Sequence, residues 1–241
     1  MSLPVVVLAG GLATRLGPLT EATPKSLLDV AGRPFVEHQM DLLARHGLRD
    51  VVFCIGHHGD QVANALGDGS RWGMHFRFVP DGPRLLGTGG AIRAVLPLVG
   101  PAFLVLYGDS YLDCDYAAIE RTFREGTAAG LMTVYRNDNR FDRSNVQFEH
   151  GRILVYDKQH RTTAMRHIDY GLGILTPAAF EKWAADDEPF DLAAVYQQLV
   201  ARGELMGYEV ATRFYEIGSR EGLEETRALL AARASNGGRP E

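Results

Sequence analysis

The sequence predicts an α/β domain in which helices cover both faces of a mostly parallel central sheet. Apolar, β-branched runs at Val5–Ala9, Asp50–Ile55 and 102–107 are typical of strands buried on both faces of such a sheet. Between these runs, apolar residues recur at helical spacing, as at Val36 and Met40. The 241 residues suffice for one large domain, and 46% hydrophobic with 23% charged residues is ordinary for a globular protein.

The predicted elements follow one another in an alternating order. Strands are predicted at residues 5–9, 50–55, 74–79, 102–107, 131–135, 145–149, 152–157, 168–175 and 205–210. Helices are predicted at residues 36–47, 61–66, 87–98, 116–126, 192–201 and 221–233, with a further one starting at Pro177. Alternating apolar residues across 145–157 indicate a hairpin. We expect a single domain over residues 1–234 and a flexible C-terminal tail at 235–241.

Charge and cysteine content exclude several classes of protein. The formal net charge of −5 offers no polybasic face, so we expect no nucleic acid and no membrane as partners. Cys54 and Cys114 lack the spacing of metal ligands and are predicted to be free thiols. The N-terminus has no signal-peptide pattern, and no apolar stretch approaches the roughly 20 residues of a membrane span. We therefore expect a cytoplasmic protein.

The first strand runs into a loop suited to an anion. Gly10 and Gly11 allow backbone N–H groups to approach phosphate oxygens, and Thr14, Arg15 and Lys25 add a hydroxyl and two cations. The spacing is neither that of a P-loop nor that of a dinucleotide-binding fold. The residues alone leave two interpretations open: a cradle for a nucleoside triphosphate, or an ordinary turn with surface charges.

The string L-A-G-G-L-A-T-R-L-G-P-L-T, followed by P-K-S-L, resembles the opening of the sugar-1-phosphate nucleotidyltransferases, the nucleotide-sugar pyrophosphorylases. Ala13 stands where that family usually has glycine, and the resemblance continues to Gly218. It implies a Rossmann-like three-layer sandwich of the nucleotide-diphospho-sugar transferase type. The strings at 143–148 and 168–173 are most similar to those of small bacterial mannose- and heptose-1-phosphate guanylyltransferases.

The resemblance implies a nucleotide site made from the first loop and a second glycine-rich segment. The segment at 85–90 resembles the family's L-G-T-A/G-G, which lines the nucleobase, and a glycine-rich helix start allows close approach to a base or phosphate. The alternative is a flexible lid without a ligand. The nucleotide-binding candidates are Leu8, Gly10, Gly11, Thr14, Leu86, Thr88 and Gly89.

Two carboxylates are the metal-binding candidates. Asp109 follows the most apolar predicted strand, at the sheet edge where open α/β folds bind ligands, and resembles the Asp of the family's G-D pair. The string F-Y-E-I-G-S resembles Y-x-D-I-G-T, which makes Glu216 the second carboxylate, one methylene longer than the usual Asp. Since Mg²⁺ binds to one or two carboxylates plus substrate phosphates, the implied cofactor is Mg²⁺.

The resemblance also implies a site for the sugar phosphate. Lys158 is a partial match to the Lys of the family's E-K-P, with a solvated surface lysine as the alternative. Asp169 and Gly171 lie where the family has an Asn or Ser near a Gly that holds sugar hydroxyls. With Asn145, these residues are the sugar-phosphate-binding candidates.

The implied reaction joins a nucleoside triphosphate and a sugar 1-phosphate to give an NDP-sugar and pyrophosphate, with GTP and a mannose- or heptose-type sugar favoured. The attacking phosphate oxygen is already ionised, so the reaction needs no general base. The implied catalytic residues are Arg15, which stabilises pyrophosphate, and Lys25, which bridges the reacting phosphates. The alternative is a non-catalytic nucleotide-sugar-binding regulator of the same fold, and either protein could form a homo-oligomer.

Overall fold

The computed structural model describes residues 2–11, 14–184 and 188–237. Within these residues the chain forms, in order, β1 (Val5–Ala9), β2 (Asp29–Val30), β3 (Arg33–Pro34), α1 (Phe35–Arg45), β4 (Asp50–Ile55), α2 (Gly59–Leu66), β5 (His75–Pro80), α3 (Gly87–Val95), β6 (Phe103–Tyr107), β7 (Ser110–Tyr111) and α4 (Tyr116–Glu125). There follow β8 (Gly130–Arg136), β9 (Val146–Glu149), β10 (Arg152–Tyr156), β11 (His167–Leu175), α5 (Leu192–Arg202), β12 (Leu205–Glu209), β13 (Tyr215–Glu216) and α6 (Arg220–Gly237). Short 3₁₀ turns include Lys25–Leu27 and Pro177–Trp183.

The main sheet has the strand order β5-β4-β1-β6-β11-β8-β12-β10-β9. The strands β5, β4, β1 and β6 are parallel to one another, as predicted. The prediction of a mostly parallel sheet is wrong for the other half, where β11 runs antiparallel to both β6 and β8. The reason is that β11 is almost entirely buried, and the sequence of a strand buried on both faces does not indicate its direction.

The second half of the sheet curls into a small ring. Strands β8, β12, β10, β9 and β11 pair in turn, and His167 of β11 pairs with Val146 of β9 to close it. The β9–β10 pair is the predicted hairpin, which is antiparallel with an irregularity between Ile153 and Val155. A second irregularity lies between Asp169 and Gly173 of β11, where the ladder to β8 shifts register. Bulges of this kind re-aim side chains near functional sites.

Apolar side chains of the sheet alternate between two packed layers. Val5 and Val7 of β1 face α1, α2 and α4, whereas Val6 faces α3 and α5. Helices therefore cover both faces, and each fully buried aliphatic side chain stabilises the fold by about 1.5–3 kcal/mol.

The terminal helix α6 packs on the β2–β3 hairpin through Leu223 and Leu230. It runs to Gly237, so residues 235–237 of the predicted tail are helical, and residues 238–241 lie outside the described part of the chain. Among the described residues, no helix combines the length and apolarity needed to cross a bilayer.

Candidate active site

A cavity of about 240 Å³ opens at the carboxyl ends of the parallel strands β1, β4, β5 and β6. This is the edge at which open α/β sheets bind ligands. Six of the predicted site residues line it: Leu8, Gly10, Gly11, Lys25, Thr88 and Asp109. Among the described residues, the predicted Leu86 and Gly89 are not part of its wall. Gly89 is buried against Phe190, whose carbonyl accepts its N–H at 2.9 Å, so this glycine is needed for packing.

Close backbone approach shapes the cavity wall. A Cβ atom on Gly56 would lie 2.5 Å from the carbonyl oxygen of Gly10, and one on Gly108 would lie 2.7 Å from that of Leu8. Both separations are shorter than van der Waals contact, so a side chain at either position would push the strand-end loops apart. The glycines at the ends of β4 and β6 therefore allow the first loop to sit directly against its neighbours.

Lys25 and Asp109 meet inside this cavity although they are 84 residues apart in sequence. The Lys25 ammonium donates to Asp109 Oδ2 at 2.6 Å, and each side chain is 20% exposed. Asp109 sits at the end of β6, and its backbone carbonyl accepts the N–H of Ile217 at 2.9 Å. Two segments that the sequence assigned to one reaction centre are therefore in direct contact.

Glu216 lies beside Asp109 in the fold, because β13 pairs with β7 and Glu216 stands opposite Ser110. Its carboxylate accepts hydrogen bonds from the Gly218 N–H and, at 2.5 Å, from the Ser219 hydroxyl. These bonds hold the segment that enters α6, where a carboxylate is also favoured by the helix dipole. The role of Glu216 as a metal ligand stays a prediction.

Part of the glycine loop lies outside the residues that the structure describes. Ala13 and the side chains of Thr14 and Arg15 lie outside the described residues. The predicted catalytic and nucleotide-binding roles of Arg15 and Thr14 therefore stay predictions.

The four sugar-phosphate candidates come together beside the cavity. Asn145 Oδ1 accepts the Asp169 N–H at 3.0 Å, and Asp169 Oδ1 accepts the Gly171 N–H at 3.0 Å. The Tyr156 hydroxyl donates to Asp169 Oδ2 at 3.2 Å. Burial raises the pKa of Asp169, and the charge of Lys158 opposes this shift. Lys158 and Asp169 are thus close enough to influence one another.

Tyr107 links this cluster to the cavity. Tyr107 lines the cavity, and the Lys158 ammonium lies 5.8 Å from the centre of the Tyr107 ring. Lys158 is 39% exposed and 4.0 Å from Asp191, so it is partly held and still accessible. Tyr107 therefore lies between the cavity and the Lys158 side chain.

The cavity wall also contains the titratable side chains of Asp81, His57 and His58, which were not among the predicted site residues. His58 Nε2 lies 3.3 Å from the carbonyl oxygen of Glu21, and this contact braces the first loop. Asp81 directly follows β5, and burial raises the pKa of its carboxyl. Its position at the carboxyl end of a parallel strand is the signal that could have identified it.

Comparison with known proteins identifies the family and the fold. Residues 4–144, more than half of the chain, match the sequence model of the nucleotidyl transferase family. A crystal structure assigned to a glucose-1-phosphate thymidylyltransferase from Bacillus anthracis superposes with a TM-score of 0.84 at 20% identity, covering 95% of this chain and 96% of that one. The protein thus has the nucleotide-diphospho-sugar transferase fold.

Two curated relatives illustrate the range of substrates. N-acetylmuramate alpha-1-phosphate uridylyltransferase of Neisseria meningitidis is 40% identical over 118 residues, which are 48% of this chain and 51% of the relative. Mannose-1-phosphate guanylyltransferase of Mycobacterium tuberculosis is 27% identical over 220 residues, covering 90% of this chain and 61% of the relative. The chain spans about half to three fifths of the length of these relatives.

Proposed function

Because the chain belongs to the nucleotidyl transferase family, we propose that it transfers a nucleotidyl group from a nucleoside triphosphate to a sugar 1-phosphate. The products are an NDP-sugar and pyrophosphate. The observation that carries the proposal is the Lys25–Asp109 pair inside a glycine-walled cavity, which Tyr107 joins to the cluster of Asn145, Lys158 and Asp169.

The proposed reaction is an in-line displacement at the α-phosphorus. A phosphate oxygen of the sugar 1-phosphate forms the new P–O bond as the bond to pyrophosphate breaks, and no proton has to move because the attacking oxygen is ionised. Catalysis then depends on alignment and charge neutralisation. The Lys25 ammonium neutralises the reacting phosphates, and Arg15 is assigned to the departing pyrophosphate.

The donor set fits a magnesium ion. Asp109 presents a carboxylate in the cavity whose Oδ1 contacts Ser110 Oγ only at 3.4 Å, and Mg²⁺ needs few protein carboxylates when substrate phosphates supply the rest. When bound, Mg²⁺ supplies charge neutralisation to the phosphates. Asp109 would hold it, and Glu216 is the second candidate.

The cluster beside Tyr107 suits the acceptor. The Lys158 ammonium is available to the sugar phosphate, and Asp169 offers carboxylate oxygens to sugar hydroxyls. Asn145 holds the backbone of Asp169 through its N–H and so positions this carboxylate.

For the substrate pair, the sequence strings favour GTP with a mannose- or heptose-type 1-phosphate. UTP with an N-acetylmuramate-type 1-phosphate is the second candidate, because the Neisseria relative has 40% identity over the part that it shares with this chain.

The test is pyrophosphate release from GTP, UTP, dTTP, CTP and ATP with a panel of sugar 1-phosphates, measured with Mg²⁺ and with a chelator. We expect metal-dependent release with one pair. Absence of release across the panel, together with measurable binding of nucleotide sugars, would instead identify the non-catalytic regulator.

A further inference from the structure

The carboxylate of Glu216 is engaged by the chain segment that follows it. Its Oε2 accepts the N–H of Gly218, and its Oε1 accepts the hydroxyl of Ser219 at 2.5 Å. The backbone carbonyl of Glu216 also accepts the Thr226 hydroxyl at 2.9 Å. Each oxygen of the carboxylate therefore already has a hydrogen-bond donor from the protein.

The space for this carboxylate exists because residue 222 is glycine. A Cβ atom at Gly222 would overlap the carboxylate of Glu216. Gly222 lies in the first turn of α6, where glycine is a poorer helix former than alanine. The chain thus has a weak helix former at the one place where a side chain would displace the carboxylate from its donors.

The contact with Ser219 completes the N-terminal cap of α6. Ser219 directly precedes the first helical residue, and its Oγ accepts the N–H of Gly222 at 3.0 Å, as serine does at N-caps. The hydrogen of the same hydroxyl is donated to Glu216. Because one hydroxyl both accepts and donates, the loss of either partner should weaken the start of α6.

The segment held by Glu216 is linked to Asp109 through the backbone. Ile217, whose side chain is fully buried, donates its N–H to the carbonyl oxygen of Asp109 at 2.9 Å. Glu216 itself stands opposite Ser110 in the pairing of β13 with β7. The position of Asp109 therefore depends on the segment that the Glu216 carboxylate holds.

The carboxylate of Asp109 differs from that of Glu216 in its place and its partners. Asp109 lines the cavity, and Glu216 is not among the described residues of the cavity wall. Oδ2 of Asp109 accepts the Lys25 ammonium at 2.6 Å, whereas its Oδ1 contacts the Ser110 hydroxyl at a long 3.4 Å. Of the two predicted metal ligands, Asp109 is the one with an oxygen available in the cavity.

We propose that Glu216 is a positioning residue, which holds the start of α6 and the backbone of Asp109, and that of these two carboxylates only Asp109 binds the cation. The inference rests on the proposed function, in which Mg²⁺ joins substrate phosphates at Asp109. One carboxylate is sufficient, because Mg²⁺ keeps several waters and takes further oxygens from phosphates.

The experiment measures the Kd of GTP and of UTP by calorimetry, once with Mn²⁺ and once with EDTA. Mn²⁺ is used because it takes the same oxygen ligands as Mg²⁺. The quantity compared is the gain in affinity that the metal gives to the nucleotide that binds more tightly. Asp109→Asn should abolish this gain, since the variant loses the charged ligand.

Glu216→Gln and Ser219→Ala should each reduce the gain by about tenfold and leave part of it, as expected for partners that orient a metal ligand. The amide of Glu216→Gln keeps the shape but loses the charge and one of the two acceptors. The double variant should lose no more than either single variant, because both changes act through one hydrogen bond.

Melting temperature in EDTA is the second readout, since it reports on α6 without any metal. Glu216→Gln and Ser219→Ala should each melt about 2–4 °C lower than the wild type, the shift expected for a lost helix cap in a chain of this size. Asp115→Ala is the matched control: it removes the cap of α4, where Asp115 accepts the Ala118 N–H at 2.9 Å outside the cavity. It should lower the melting temperature similarly and leave the metal gain unchanged.

Three results would overturn the inference. If Glu216→Gln abolishes the gain as Asp109→Asn does, while Ser219→Ala keeps it, Glu216 is a metal ligand. If neither Glu216→Gln nor Ser219→Ala changes the gain, Glu216 does not position Asp109. An unchanged melting temperature of Glu216→Gln would show that its carboxylate does not hold α6. A wild type that binds neither nucleotide, with both melting shifts present, would remove the proposed function and keep the role of Glu216 at α6.

Discussion

The two halves of the sheet build their parts of the candidate site in different ways. In the parallel half, the site is a cavity walled by the strand-end loops, where Gly56 and Gly108 bring the backbone close together. In the five-stranded ring, the site consists of side chains from separate segments, with Asn145, Tyr156 and Gly171 arranged around Asp169. The cavity in the parallel half therefore depends on close packing of the backbone, and the cluster in the ring depends on the register of the strands.

This difference separates the effects expected from substitutions. Changes in the cavity should affect the nucleotide and the chemical step, while changes in the ring should affect the acceptor sugar alone. The expectations below run from the largest effect to the smallest.

The largest effect is expected for Asp109→Asn. The amide removes the charge that pairs with Lys25 and the carboxylate assigned to the cation, so turnover should fall on the order of 10²–10³-fold. Because the site is partly exposed, the protein should stay folded. Steady-state kinetics at saturating Mg²⁺ provide the measurement, and Asp113→Asn, which loses pairs with Arg233 and His46 outside the cavity, is the control. Near wild-type turnover would contradict the assignment of Asp109.

Asp169→Asn should change recognition of the acceptor. The neutral amide suits the burial that raises the pKa of Asp169, so stability should be kept, but the interaction with Lys158 and an acceptor for hydroxyls are lost. We expect KM for the sugar 1-phosphate to rise about 10–100-fold, with KM for the nucleotide changed less than about threefold. Equal changes in both constants would show that the halves do not act separately.

Gly56→Ala tests the close backbone approach in the parallel half. The new Cβ would lie 2.5 Å from the Gly10 carbonyl oxygen and 2.9 Å from Gly10 Cα, so we expect the free energy of unfolding to fall by about 1–3 kcal/mol. Gly100→Ala is matched in chemistry but has no atom within 4 Å of the new Cβ. Urea denaturation of both variants should separate them; equal stabilities would mean that the loops do not pack as described.

The smallest effect is expected for the stability of Asp81→Asn. A carboxyl whose folded pKa is raised destabilises the fold when ionised, so this cost is present at neutral pH and disappears as the pH falls through the raised pKa. The variant should therefore melt at a higher temperature than the wild type at pH 7, with the gap narrowing toward acidic pH. A lower melting temperature at pH 7 would show that the bond to Leu86 outweighs the burial.

The sequence predicted the parallel half well because its signals are local. The glycines after β1, Lys25 and Asp109 stand in short motifs, and the fold brings them together at one sheet edge. The direction of β11 could not be predicted, since a doubly buried strand carries no directional pattern. Asp81 was missed for another reason: an Asp before Gly and Pro is typical of a turn.

Phosphorus NMR of one reaction mixture would test the proposed activity most directly. The nucleoside triphosphate and sugar 1-phosphate identified by the panel are incubated with Mg²⁺ and the wild-type protein. We expect the pyrophosphate resonance and the two coupled resonances of an NDP-sugar to grow in equal amounts as both substrates disappear. Nucleotide hydrolysis with the sugar 1-phosphate left intact, or binding without any new resonance, would contradict nucleotidyl transfer.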